Sequence, residues 1–386
     1  MKKVILIVIV LFVSTEFQAQ SDKDFRKIDR YALKAPKKIK TSIVKLSQYL
    51  TEPYEDDLEK VRSIFTWLIY NIDYDNTAYN DKNKRINKSN EDVLTRKKAV
   101  CFGYATLFKA LCDEANIEAE VVSGFSKKTL GSATKLGENN HAWNAVKING
   151  KWQLLDATWA SGLKTTTDDF MKTFDATYFL PSPELFICNH LPADPMWQLL
   201  DGIVTPAIFI KNHLTIRNHL ETTKNRIDYT DTLIQYEKLT GLERRLASEE
   251  RAFRFHPSAQ MAKEYGHTLM DYQGELSDVA EMLQGSSFLD SLIAIQKEMI
   301  LLCEKAAKIT ELFPNQLESC AYNRMNYAVA LSQKVDFVDS EERTRLLQVM
   351  KVQALEAKKT LEQLPMNFMI KGALGNCQQI LEYLKQ

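Results

Sequence analysis

Residues 139–159 read NNHAWNAVKINGKWQLLDATW, and Asn149-Gly150 stands in their middle between two runs of alternating apolar residues. That dipeptide is the strongest short signal for a two-residue type I′ hairpin, whose turn positions both need φ > 0. Pairing outward from it places Trp143 opposite Asp156 and His141 opposite Thr158. His141 and Asp156 then lie on one sheet face as diagonal neighbours, with Cβ atoms about 5 to 8 Å apart, so a carboxylate–imidazole hydrogen bond is within reach once strand twist closes the diagonal. Trp152 and Leu154 share this face, which must be covered, and the expected cover is the helix that precedes the hairpin.

That helix is announced by AVCFGYATLFKALC, residues 99–112, in which Tyr104, Leu107, Phe108, Leu111 and then Ala115 recur at helical spacing. Cys101 falls at its N-terminus, where unsatisfied N–H groups and the positive end of the helix dipole favour thiolate over thiol. The same amides can face the oxyanion formed when a thiolate attacks an acyl carbon. A lone cysteine at a helix start is more often a small buried hydrophobe, and a lone strand histidine is more often a satisfied core residue. A helix-start Cys followed by a hairpin that puts His and Asp on one face reverses that weighting and points to acyl transfer at a thiol.

This order of residues resembles the transglutaminase-like superfamily, in which a Cys at a helix start precedes a β-strand His and an Asp on the neighbouring strand. The similar text runs from DDLEKVRSIFTWLIYNIDYD (56–75) to YFLPSPELFICNHLPADPMWQLL (178–200), and is most similar to the bacterial branch related to the kyphoscoliosis peptidase. The resemblance implies Cys101 as nucleophile, His141 as general base and acid, and Asp156 as the group that orients the imidazole. It implies no metal and no organic cofactor. The family's side-chain oxyanion donor has no single counterpart here, and Trp67 and Tyr74 lie in the segment that supplies it. Arylamine acetyltransferases are set aside because Lys98-Ala99-Val100 does not resemble the Arg-Gly-Gly run before their Cys, and peptide N-glycanases because the chain has no paired CxxC motif.

Lys2-Lys3, an apolar run from Val4 to Val13 and a polar stretch ending Phe17-Gln18-Ala19-Gln20 read as a secretory signal over residues 1–19. The run is too short to span a bilayer, which needs about 20 residues of helix, so the expectation is export to the periplasm or outside the cell with no membrane span after cleavage. Of 386 residues, 45% are hydrophobic, enough for two ordinary cores; Lys plus Arg and Asp plus Glu both number 50, which argues against a nucleic-acid partner. Cys112 would sit about 16 Å along the helix from Cys101, beyond the roughly 7 Å Cα limit of a bridge. Cys188, Cys303, Cys320 and Cys377 read most simply as buried thiols; Cys303 and Cys320 are able to bridge two helices, although nothing in the sequence selects that pairing.

All five tryptophans precede Leu199, and later text is charged and helix-patterned, which sets a domain boundary near Pro206. Residues 20–205 are expected to be α+β, a papain/transglutaminase-like core with the Cys helix packed on an antiparallel sheet of at least three strands, including EAEVVSGF. An amphipathic helix bearing Leu58, Val61, Ile64, Phe65, Leu68 and Ile69 opens it. Ser126–Asn140 reads as a mobile surface loop bordering the site. Residues 206–386 are expected to be all-α, six helices in a bundle or short array without a steady repeat period, offering a surface for a protein partner or a buttress. His190 and the other histidines show no zinc spacing. The reading is an exported thiol enzyme acting on a protein or peptide, hydrolytic first, with amine transfer or a non-catalytic scaffold as alternatives.

Overall fold

The computed structural model describes residues 24–81, 83, 89–128, 130–164, 170–223, 229–283 and 288–385; the expected signal segment lies outside them. Two compact units divide the chain after Tyr229. The boundary therefore falls later than Pro206. The helices α9 (Pro206–Phe209) and α10 (His213–Thr222) stay with the first unit because the loop before His141 is tied to them. Ala133 N–H donates to Ile210 O at 2.7 Å, His213 N–H to Leu130 O at 2.9 Å, and Lys127 Nζ to Phe209 O at 2.8 Å. The segment after Ser126 is thus fastened by backbone bonds and the Lys127 ammonium, not the free loop its composition suggests.

In the first unit, α1 (Arg26–Leu33), α2 (Ile43–Thr51) and α3 (Asp57–Asn71) lead to β1 (Asp73–Tyr74), α4 (Asn76–Asn80), α5 (Asn90–Arg96) and β2 (Lys98–Ala99). The Cys helix is α6 (Cys101–Asp113), followed by β3 (Ala119–Ser126), β4 (His141–Ile148), β5 (Lys151–Leu155) and α7 (Ala157–Ser161). Then come the ribbon β6 (Gly162–Lys164) and β7 (Phe170–Lys172), α8 (Pro183–Phe186) and β8 (His190–Pro192). The main sheet has the order β5-β4-β3-β8, antiparallel throughout, so the architecture is the expected α+β with one more strand than the sequence reading named. Asn149 (φ 51°) and Gly150 (φ 76°) form the turn, and the register from Ile148↔Lys151 to Asn144↔Leu155 follows from it.

The core between helices and sheet is built from the predicted face of α3, with Val61, Ile64, Phe65 and Leu68, against Leu107, Phe108 and Leu111 of α6 and Val146, Ile148 and Leu155 of the hairpin. Two polar pins hold this packing in place. Tyr104 Oη donates to Ile72 O at 2.6 Å, joining α6 to the end of α3, and Arg62 makes a two-point pair with Asp29 at 2.7 and 2.8 Å beneath the rings of Phe25 and Phe179. A guanidinium buried this deeply is tolerated because the carboxylate balances its charge and takes two of its N–H groups, while aromatic rings cover its face.

The second unit is all helix: α11 (Thr230–Lys238), α12 (Gly241–Phe255), α13 (Ala259–Met282), α14 (Leu289–Ile309), α15 (Pro314–Lys334), α16 (Ser340–Leu361) and α17 (Phe368–Tyr383). From α12 onward each packs on the next. The first expected helix is split in two because Thr240 and Glu243 form a capping box that starts α12 afresh. Cys303 and Cys320 are joined across α14 and α15, with Cα atoms 5.8 Å apart, while Cys101, Cys112, Cys188 and Cys377 are free and buried.

Candidate active site

The three residues singled out in the sequence come together. Cys101 is the first residue of α6, and β2 delivers it there through the pairing of Tyr74 with Ala99, two residues upstream. Its Sγ lies 3.9 Å from Asn140 O, next to the first residue of β4. His141 opens that strand, so its imidazole and the Ala142 N–H are the groups that act on the sulfur. His141 Nε2 meets Asp156 Oδ2 at 2.7 Å. An ionised carboxylate only accepts, so Nε2 carries the proton and Nδ1 is the nitrogen left for the thiol.

Asp156 differs from the expectation in one respect. The hairpin pairing stops at Leu155, so Thr158 never comes opposite His141. Asp156 instead becomes the N-cap of α7, with Oδ1 accepting from the N–H groups of Thr158 at 2.8 Å and Trp159 at 3.0 Å. The side chain wins over strand continuation because these amides have no other acceptor at a helix start. The capping leaves Oδ2 free for the imidazole.

Burial works against ionising Cys101, but the His141 hydrogen bond, the imidazolium charge and the Ala142 N–H together outweigh it and hold the thiol below its ordinary value. For His141, burial likewise opposes charge, while the Asp156 carboxylate and its hydrogen bond more than compensate and raise the imidazole to about 10. Asp156 is entirely buried, which penalises its charge, yet the paired imidazoles keep it well below the usual carboxylate range. Both shifts run in the direction that favours thiolate and imidazolium over the neutral pair.

The cover of the hairpin is not the one the sequence suggested. Asn144 Nδ2 donates to Ala105 O at 2.9 Å, so α6 lies on the opposite face from His141 and Trp143. The His141 face is closed by residues 183–198: Trp143 meets Phe186 edge-on at 5.8 Å, and Trp152 meets Trp197 at 5.1 Å. Alternation alone places side chains on faces without saying which element covers which face.

Sequence reasoning also passed over His190. Lying 34 residues beyond Asp156, it brings its Nε2 to within 3.0 Å of the same Oδ2. The only signal was the NHLP text itself, since the contact depends on the non-local pairing of β8 with β3. The ligand atoms of His141, Asp156 and His190 fall within 4.8 Å of one another, close enough to share an ion, but as arranged they satisfy one another by hydrogen bonds. Of the two residues considered for the oxyanion, Trp67 is buried in the core of α3 with Lys97 Nζ 5.0 Å from its ring, whereas Tyr74 pairs with Ala99, two residues before Cys101.

Residues 44–157 match the family model of the Transglutaminase-like superfamily. The chain is 39% identical over 180 residues to the kyphoscoliosis peptidase of Mus musculus, and 39% identical over 182 to that of Homo sapiens, in each case over 46% of this chain and 27% of the relative. It is 27% identical over 210 residues to Hillarin of Drosophila melanogaster, covering 50% of this chain and 25% of that protein. The matched part is thus little more than a quarter of these relatives' own length. The similarity to the transglutaminase-like superfamily thus covers residues 44–157, the stretch that carries Cys101, His141 and Asp156.

Proposed function

We propose that the first unit is an exported thiol enzyme that cleaves peptide or amide bonds in proteins or peptides through an acyl-cysteine intermediate. The observation that carries this reading is the hydrogen bond from His141 to the buried Asp156, with Cys101 at a helix start, its Sγ against Asn140 beside that histidine and its thiol held below its ordinary value by the imidazole. In it, Cys101 attacks the acyl carbon as thiolate and His141 gives its proton to the departing amine. The N–H groups of the first turn of α6 face the oxyanion, and water, deprotonated by His141, then releases the acyl group. Each step draws only on protein groups and water. Export is supported by the apolar run at Val4–Val13 and by the Cys303–Cys320 bridge, which suits an oxidising compartment.

Amine transfer is the second reading. It is favoured by a surface more aromatic than the sequence suggested: Phe102, beside the nucleophile, is 58% exposed, and Tyr74 meets both Tyr79 at 6.0 Å and Phe170 at 6.3 Å. A crosslinker needs such a wall to bring an amine and keep water out. The experiment is to incubate the chain, and its Cys101→Ala variant, with glutamine-containing peptides and excess labelled amine, and to follow cleavage, deamidation and amine incorporation by mass. Hydrolytic products that vanish in Cys101→Ala are expected. Dominant incorporation would select the transferase reading, and no thiol-dependent product across a broad peptide library would remove both.

A further inference from the structure

We propose that His190 is a positioning residue of the site: a buried imidazole on β8 whose Nε2–H holds Oδ2 of Asp156 where that oxygen can orient His141. The inference rests on the thiol-enzyme reading of Cys101.

The carboxylate of Asp156 has four donors and no exposure. Two backbone amides of α7 hold Oδ1 at 2.8 and 3.0 Å, which fixes one end of the group. Oδ2 receives His141 at 2.7 Å and His190 at 3.0 Å. His141 is a working part that must exchange protons with sulfur and substrate, so it is a poor anchor for the group meant to orient it. His190 has no such duty, since its ring nitrogens meet Asp156 and Asn189 and not Cys101.

The ring is held in place on every side. It stacks on Phe186 with centroids 4.1 Å apart and planes at 11°, and it meets the faces or edges of Trp159 at 4.4 Å and Trp143 at 5.1 Å. Its backbone is paired with Ser126 of β3. Gly124 on the same strand lets β8 and Trp143 come this close, because a Cβ there would meet Leu191 O and stand 2.5 Å from the Trp143 ring. Nδ1 of His190 lies 2.6 Å from Oδ1 of Asn189; oxygen and nitrogen of that amide are assigned rather than seen, and a neutral ring with its proton on Nε2 requires the amide turned so that its nitrogen donates to Nδ1.

Burial, and the imidazolium of His141 with its ring 5.3 Å away, keep a second positive charge off His190, outweighing the pull of Asp156. The remaining titratable neighbour, Tyr178, has its ring 6.0 Å off. His190 therefore donates without competing for the site's single imidazolium charge. If this pocket needed only volume, a hydrocarbon ring would fill it with less desolvation cost than a histidine. Instead one of its ring nitrogens is aimed at Oδ2 of Asp156, the oxygen that meets His141.

The test is the pH profile of iodoacetamide alkylation at Cys101 in the full chain, read by mass, for the native protein, His190→Phe and His190→Gln. Phe keeps the aromatic packing and removes the donor; Gln carries an N–H at the reach of Nε2. We expect His190→Phe to alkylate about 10-fold more slowly at neutral pH, as when outer partners of other functional imidazoles are lost. Its midpoint should move toward that of a free cysteine, about 8.5. His190→Gln should recover most of both. An unchanged profile in His190→Phe, or a His190→Gln no better than His190→Phe, overturns the proposal. Nitrogen-15 correlation spectra of the native chain test it without any variant: a proton on Nε2 of His190 is expected, and one on Nδ1 alone overturns it. A native midpoint already near 8.5 would remove the thiol reading and this proposal together. A low native midpoint unaffected by His190 removes only the proposal.

Discussion

Exchanging Asp156 for Asn replaces a single heavy atom, yet it reverses the hydrogen-bond logic of the whole site. The amide that takes the carboxylate's place still offers Oδ1 to the Thr158 and Trp159 amides, so α7 keeps its cap and the fold should hold within about 1 kcal/mol. The other end becomes an NH2 group facing two imidazole Nε2 atoms that themselves carried protons. Both rings must move their proton to Nδ1. For His141 that nitrogen faces the thiol, so the base becomes a donor and the sulfur loses its counter-ion. With Cys101 returned to about 8.5, only about 3% is thiolate at pH 7, so alkylation should slow by about tenfold or more. Turnover should fall on the order of 10⁴-fold, the loss seen for the equivalent exchange in Ser-His-Asp triads. Asp156→Ala is different: it removes the cap, worth about 1 kcal/mol, and strands two buried N–H groups at about 1–3 kcal/mol each, a total on the order of 3–7 kcal/mol. Thermal denaturation and alkylation kinetics of both variants decide the matter. An Asp156→Asn protein that alkylates like the native one, or an Asp156→Ala protein of native stability, would refute the assigned geometry.

The pH dependence follows from the same groups. Alkylation and turnover should rise as Cys101 ionises below its ordinary value, and turnover should fall again near pH 10 as His141 loses its proton, while the stability His141 contributes should decline progressively from about pH 6.5 to about 10. On the acid side, His190 is held down to about 4 by burial, so the unfolded chain binds a proton first and stability should decline from about pH 6.5 toward 4, a decline His190→Phe should reduce in chemical denaturation at several pH values. Gly124→Ala should destabilise the first unit by about 1–3 kcal/mol, because its Cβ would push β8 and Trp143 apart, and calorimetry giving no change would contradict the close approach. Cys320→Ser should cost the second unit about 3 kcal/mol for a 17-residue separation while leaving Cys101 alkylation untouched, measured by denaturant titration under non-reducing conditions.

Much of the site was legible because its parts are local. An Asn-Gly turn sets a register by itself, and the helical spacing after Cys101 needs no partner to be seen. The reading failed where a side chain or a distant strand had the deciding vote. Asp156 ends β5 because capping two amides outweighs one more rung of the ladder, and that competition is settled only when α7 forms. His190 reaches the site through β8, whose three residues carry too little pattern to announce a strand and whose partner lies far back in the chain. The face assigned to the Cys helix went to residues 183–198 for the same reason. The break at Thr240 was available, since Thr-Gly-Leu-Glu has the spacing of a capping box, but the apolar rhythm running through it hid the restart.

The double use of Asp156 has a consequence for when the thiol becomes dangerous to its surroundings. One carboxylate both starts α7 and orients His141, so the local opening that frays this short helix also disarms the nucleophile. A chain emerging unfolded, or one partly melted, carries an ordinary cysteine rather than an armed one. Hydrogen exchange at the Thr158 and Trp159 amides would then report, residue by residue, the fraction of molecules competent for chemistry. If Cys101 acts as proposed, this shared point would tie its reactivity to the folding of α7.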